Sequence, residues 1–344
     1  MAGELAASVE DGARSPETGS GAPGDAVRRV AGQTAWRLVG MLVTMLVVSF
    51  VVFAMLYIAP GDPVAFVLGD QPTDPATIAS IRAEYHLDDP FLLRYWVWLS
   101  GILQGDFGTS ILFRVPVSGL LGERAVNSLF LATYASLLIL IPGILLGIVS
   151  GLRGGWRDRM IMVVTAAGQA IPAYVAAIFL IATFAVGLGW FPVSGAGSGF
   201  VDRLWHMTLP AFAMALVSLS VVTRVTRTSI REESRSEHVE TARSRGIPES
   251  LVRRRHIVRN GLIPIVTVSG LVVATQISGA VVVETAFGIE GLGSYLVKSV
   301  QQRDFAVVQA ITLILVAVFV VANTVVDVLY GVLDPRVRAR SARS

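Results

Sequence analysis

The sequence has no cysteine, a single lysine and few charges of either sign. Without thiols, disulfides, cysteine-type zinc sites and thiol nucleophiles are excluded. Charged residues make up 15% of the 344 residues and hydrophobic ones 53%, whereas a soluble domain carries about a quarter charged residues. That shortfall points to a membrane protein. A phosphate-binding loop needs Gly-Lys-Ser/Thr, but the one lysine, Lys298, follows Val297. The four histidines, His86, His206, His238 and His256, lack metal-ligand spacing, so no built-in metal site is expected. Gly-X-Ser-X-Gly is missing as well, since Ser194 is preceded by Val193. Enzymatic chemistry has no support, and nucleotide energy has to come from another chain.

What is present is a set of six uncharged runs: 38–58, 128–149, 160–190, 207–223, 261–283 and 305–326. About 20 helical residues cross a hydrocarbon core, which predicts an all-α polytopic membrane protein with six transmembrane helices. The third run is too long for one upright crossing, and Pro172 is expected to kink it. The fourth is the shortest. Six spans put both termini on one side. That side holds 21 of the 28 basic residues and the other side 7, so both termini are expected in the cytoplasm. The Gly-, Ala-, Ser- and acid-rich start buries too little apolar surface to fold and has no signal-peptide h-region. Residues 1–35 are therefore expected as a disordered cytoplasmic tail, 36–336 as the transmembrane domain and 337–344 as a cytoplasmic tail.

Two loops are too long to be plain connectors. The outer one, 59–127, opens with the turn Pro60-Gly61-Asp62-Pro63. A short helix is expected from Asp74-Pro75 through Tyr85, and the loop is expected to form a folded cap. In the inner one, 224–260, Ser234 or Ser236 is placed to cap a short helix with acidic residues in its first turn. Val239, Ala242, Gly246 and Ile247 share a narrow face, Gly246 suits a left-handed stop, and Pro248 opens a second helix with Leu251 and Val252 on its buried side. The spacing predicts a knob whose small-residue face enters a partner's groove.

Glu240-Thr241-Ala242, Gly246 and Ile263-Pro264 resemble the EAA loop of ABC importer permeases, with Thr241 in place of an alanine and a longer spacing to Ile263-Pro264. Further segments resemble the oligopeptide, dipeptide and nickel branch of that family, in family order. They are Pro60-Gly61-Asp62-Pro63; Tyr85-His86-Leu87-Asp88; Gly105-Asp106-Phe107-Gly108-Thr109-Ser110; Glu284 to Gly293; and Leu333-Asp334-Pro335-Arg336. One departure is Glu290, where a proline is usual.

The resemblance implies a type I ABC importer permease fold with a folded extracytoplasmic loop. It implies ATPase coupling by Glu240, Thr241, Ala242, Arg243, Gly246 and Ile247, and binding-protein docking by Asp62, Asp106, Phe107, Glu284 and Gly291. The implied partners are a homologous second permease, two ABC ATPases that carry ATP and Mg, an extracytoplasmic substrate-binding protein and membrane lipids; no nucleic acid is expected. Polar residues in spans are costly in lipid, so Gln276, Asn323 and Asp327 stand either as interhelical hydrogen-bonders or as lining of the translocation path. The cargo is expected to be di- or oligopeptides, with nickel, opines or oligosaccharides open on the same scaffold. A stand-alone secondary transporter would need ion-coupling charges and inverted repeats, and neither is visible.

Overall fold

The computed structural model of the chain describes residues 23–58, 74–76, 79 and 88–333, and of these 23–35, 37, 56–58 and 327–333 by backbone alone. Asp62, most of the helix expected after Asp74, and both outermost tails lie outside the described residues. Residues 1–40 and 41–344 form two compact units, and the packing below belongs to the second. Its helices are α1 (Pro23–Ile58, entering from the first unit), α2 (Phe91–Leu103), α3 (Val117–Arg153), α4 (Gly155–Gln169), α5 (Ala173–Gly187), α6 (Gly199–Glu233), α7 (Glu237–Ser244), α8 (Glu249–Ala286), α9 (Leu292–Gln301) and α10 (Phe305–Leu333). Among the described residues the β contact is an isolated bridge, Thr109 to Pro116, so the all-helical expectation holds.

α1, α3, α6, α8 and α10 are long and apolar enough to cross a membrane, and α4 with α5 makes a sixth crossing if the bent pair counts as one. The bend is 94°, more a corner than the expected kink. Pro172 brings no N–H and disfavours helical backbone at Ile171, so α4 stops at Gln169 and α5 restarts with Ala176 N–H donating to the Pro172 carbonyl at 2.9 Å. The short fourth run sits inside α6, a helix of 35 residues. α3 begins at Val117, so the stretch expected as outer loop up to residue 127 is helical from there on. A charge-free window misses that start, because Glu123 and Arg124 interrupt it while Val117 and Leu121, one turn apart, are buried.

α3 and α6 pack closely over Gly143, Gly147 and Gly151, spaced by four. A Cβ would meet Val222 at 3.0 Å from Gly143, Thr226 at 2.4 Å from Gly147 and Ile230 at 2.9 Å from Gly151. Lipid tails are as apolar as leucine, so helices in a bilayer associate by such close backbone approach rather than by hydrophobic burial. A cluster at the start of α3 joins Val117 and Leu121 to Leu292, Tyr295, Val307 and Ile311. At its far end Ile144, Ile148 and Leu152 pack on the 230–265 segment. A 37-residue helix at 1.5 Å per residue holds these ends about 55 Å apart.

Candidate functional site

At the far end, α6 runs into α7, Gly246 and α8. Gly246 has φ +74°, a left-handed stop. Its N–H donates to the Arg243 carbonyl at 2.9 Å, and the Ile247 N–H to the Ala242 carbonyl at 3.3 Å. Arg243 reaches across the turn to Glu249 with Nε and Nη2, both at 3.2 Å, and Arg253 joins the same carboxylate at 3.3 Å. Arg243 therefore braces the loop. Glu249 holds its guanidinium pKa above the ordinary arginine value.

The loop's small apolar face turns inward, contrary to the expected groove-filling knob. Val239 is 0% exposed, Ala242 is buried, and both pack with Ile230, Val252, Ile257 and Ile265 of the same chain, with Ile247 at the edge. Ile230 from α6 and Ile257 and Ile265 from α8 pack around these small side chains, so the chain fills its own groove. Of the pair expected on the buried side after Pro248, Val252 is buried but Leu251 is 43% exposed. Ser236 occupies the N-cap position of α7, yet its hydroxyl donates back to the Glu233 carbonyl at 2.6 Å and caps nothing. Glu237, His238, Glu240, Thr241 and Ser244 form the outward face. His238 Nε2 is 2.9 Å from Glu233 Oε1, and Asn260 Nδ2 donates to the same oxygen at 3.1 Å. The first turn of α7 is thereby tied to the end of α6 and to α8.

Beside the loop lies a cluster that pattern reading missed. Asp158, buried in the first turn of α4, accepts from Arg227 Nε at 2.5 Å and Nη2 at 2.7 Å, and from the Ser150 hydroxyl. Arg231, one turn on, is 3.5 Å away. This bidentate pair ties α4 to the last turns of α6. A signal existed: Asp158 is the single acid in the arginine-rich stretch 150–160.

At the opposite end, Glu284 is 0% exposed and unavailable to a docking protein. Ser128 Oγ donates to its Oε1 at 2.6 Å and Ser294 N–H to its Oε2 at 3.0 Å. The carboxylate thus satisfies the first turn of α9, where helix N–H groups lack partners. Gly291 belongs to the same arrangement, because a Cβ there would lie 2.3 Å from the carboxyl carbon of Glu284. Phe107 leans on the cluster at the start of α3. Asp106 is exposed, with Oδ1 accepting from the Gly108 N–H at 2.9 Å. The buried Asp304 accepts from the Ser110 hydroxyl and from the Ile111 N–H at 3.2 Å, fixing the 105–116 turn to the start of α10.

Gln276 is buried against α6, its Oε1 accepting from Ser218 Oγ at 3.2 Å while Nε2 has no hydrogen-bond partner. It joins two helices and lines no open face. Asn323 is half-buried, and the Asp327 side chain lies outside the described residues. The exposed stripe of α8 carries Thr267, Leu271, Thr275, Ser278 and Val282 instead. Among the described residues no group of three or more His, Cys, Asp or Glu is arranged to hold a metal ion.

Residues 143–339 match the family described as binding-protein-dependent transport system inner membrane component, and residues 34–119 match its N-terminal companion. The chain is 36% identical over 303 residues to the glutathione transport system permease protein GsiC of Salmonella typhimurium, covering 88% of this chain and 97% of that protein. It is 37% identical, with the same coverage, to the protein of that name from Pectobacterium atrosepticum. Two solved structures share the fold alone. One is the MetNI methionine ABC transporter in inward-facing conformations, with TM-score 0.52, 15% identity, and coverage of 62% of this chain and 96% of that one. The other is an amino acid ABC transporter solved with histidines, with TM-score 0.51, 16% identity, and coverage of 62% and 94%. The chain belongs to the family of inner-membrane components of binding-protein-dependent transport systems, and is a multi-pass permease subunit of an ABC importer rather than an enzyme.

Proposed function

We propose that this chain forms half of the translocation path of an importer of di- and oligopeptides. A homologous permease supplies the other half, two ABC ATPases holding ATP and Mg dock on the cytoplasmic side, and an extracytoplasmic binding protein delivers cargo. Relatives named for glutathione, a tripeptide, support a peptide cargo. The observation that carries the coupling role is the inner loop. It is braced from behind by Val239 and Ala242 and across its turn by Arg243–Glu249. Its polar outward face, with Glu240 and Thr241, is left for the ATPase. The arginine excess on that side favours cytoplasmic termini, with 1–35 and 337–344 as tails. The hydroxyls of Thr267, Thr275 and Ser278 on the exposed stripe of α8 suit a polar path better than the buried Gln276. ATP binding would close the ATPases, draw the docking loops together and bias a two-state, inward/outward equilibrium toward the outward-facing state.

The test is reconstitution of the chain with its second permease, ATPases and binding protein in proteoliposomes. Uptake of glutathione, a dipeptide, a pentapeptide and nickel is then measured. ATP-dependent uptake of one or more peptides is expected, and uptake of nickel alone would overturn the cargo assignment.

A further inference from the structure

The helix α2 was expected within a folded cap, yet its contacts lie on α1. The Tyr95 hydroxyl pairs with Ser49 Oγ at 2.8 Å and donates to the Leu46 carbonyl at 3.3 Å. Phe91, Tyr95 and Trp98 stack on Phe53, with ring centroids 5.4–5.7 Å apart. Ser49, Phe53 and Tyr95 are all buried by this contact. The apolar window of α1 runs over Leu38–Met55. Leu46 is midway along it, about 12 Å from either end at 1.5 Å per residue. A helix that hydrogen-bonds there cannot sit above the bilayer.

The opposite face of α2 is apolar and open: Leu92, Leu93, Trp96 (58% exposed), Val97 and Leu103 (81% exposed). Its single charge, Arg94, is in the first turn. At its other end two of the last carbonyls are already used, Gly101 accepting from the Gln104 and Asp106 N–H groups and Ile102 from Gly105, each at 2.9–3.0 Å. That meets part of the demand hydrocarbon makes on a helix terminus. Thirteen residues, about 20 Å, are too few to cross.

We propose that α2 is a half-helix embedded in one leaflet against α1, its open face covered by the acyl chains of outer-leaflet phospholipids. The choice of leaflet rests on the orientation proposed above. The native chain has no thiol, so single cysteines report cleanly. Trp96→Cys and Leu103→Cys are placed in the assembled transporter in proteoliposomes, with Ser198→Cys and Arg235→Cys as markers of the two aqueous sides. An impermeant maleimide is expected to label the markers from opposite sides and the α2 cysteines from neither until detergent is added. Nitroxides at 96 and 103 are expected to collide with oxygen far more than with a water-soluble nickel chelate. Labelling of the α2 cysteines at the rate of an aqueous marker would overturn the proposal. If the binding protein blocked that labelling, the face would be a docking surface. Protection from both oxygen and maleimide would assign it to a protein subunit and also overturn it. Markers on the same side would defeat the orientation while leaving the embedding to be read from the nitroxides.

Discussion

At Gly147 an added methyl meets Thr226 Cβ at 2.4 Å and the Thr223 carbonyl oxygen at 2.8 Å. Gly147→Ala is therefore expected to destabilise the α3–α6 pair by about 1–3 kcal/mol through overpacking. Gly122→Ala, whose new atom meets nothing within 4 Å among the described residues, should not destabilise and should gain about 0.5–1 kcal/mol from helix propensity. Thermal melting of the solubilised chain, followed by size exclusion, compares them. Asp158→Asn removes the countercharge of Arg227 and Arg231 and should lower the melting temperature more than Arg157→Gln does. The Arg157 side chain lies at 5.9 Å from the Trp156 ring centroid and carries no such pair among the described residues. Both sites show what single residues hide. The glycine spacing is visible in the chain, but only α6 reveals which glycines face a partner. Glu284 reads equally well as a surface acid or a buried one until Ser128, from a distant stretch, lies against it.

Among the elements, the inner loop was the most legible, because its turn chemistry is local: Gly246 stops α7 and Pro248 precedes α8. What the sequence could not orient was the small face of α7, since Val239 and Ala242 suit the chain's own core as well as a partner's cleft. The same holds for α2, whose aromatics fit a cap or a span. Gly246→Val forces a β-branched residue into a left-handed backbone at a cost of about 1–3 kcal/mol. A Cβ there meets nothing within 4 Å among the described residues, so under the proposed coupling role any further effect would come from the ATPase contact. ATP turnover with reduced cargo uptake is expected in the reconstituted complex. Glu240→Lys should weaken co-purification of the ATPase, and a compensating acidic change on the ATPase should restore it. Wild-type assembly and uptake in both variants would remove this loop from the coupling path.

For the whole molecule, the absence of a phosphate-binding loop predicts that the purified chain turns over no ATP, and that turnover appears when ATPase subunits co-purify. A steady-state phosphate-release assay on chain free of other subunits decides it. The five straight candidate crossings and the bent sixth were readable because charge-free runs of the right length are a property of composition. The 94° corner was not, since a proline in a long apolar run marks a position but sets no angle.

That corner restricts what its neighbours can be. α4 advances about 22 Å from Gly155 before it breaks, so if the bent pair is one crossing, Ala170 and Ile171, both exposed in the lone chain, carry its break to the depth of the acyl chains. Hydrocarbon offers peptide groups no partners, and irregular backbone persists there only under protein or beside water. On that reading this flank of the subunit is expected to face protein or water rather than lipid. A cysteine at Ala170 should react with a small water-soluble thiosulfonate in the assembled transporter, or be shielded by the second permease, and it should be the corner rather than the straight helices that decides which side of the subunit faces inward.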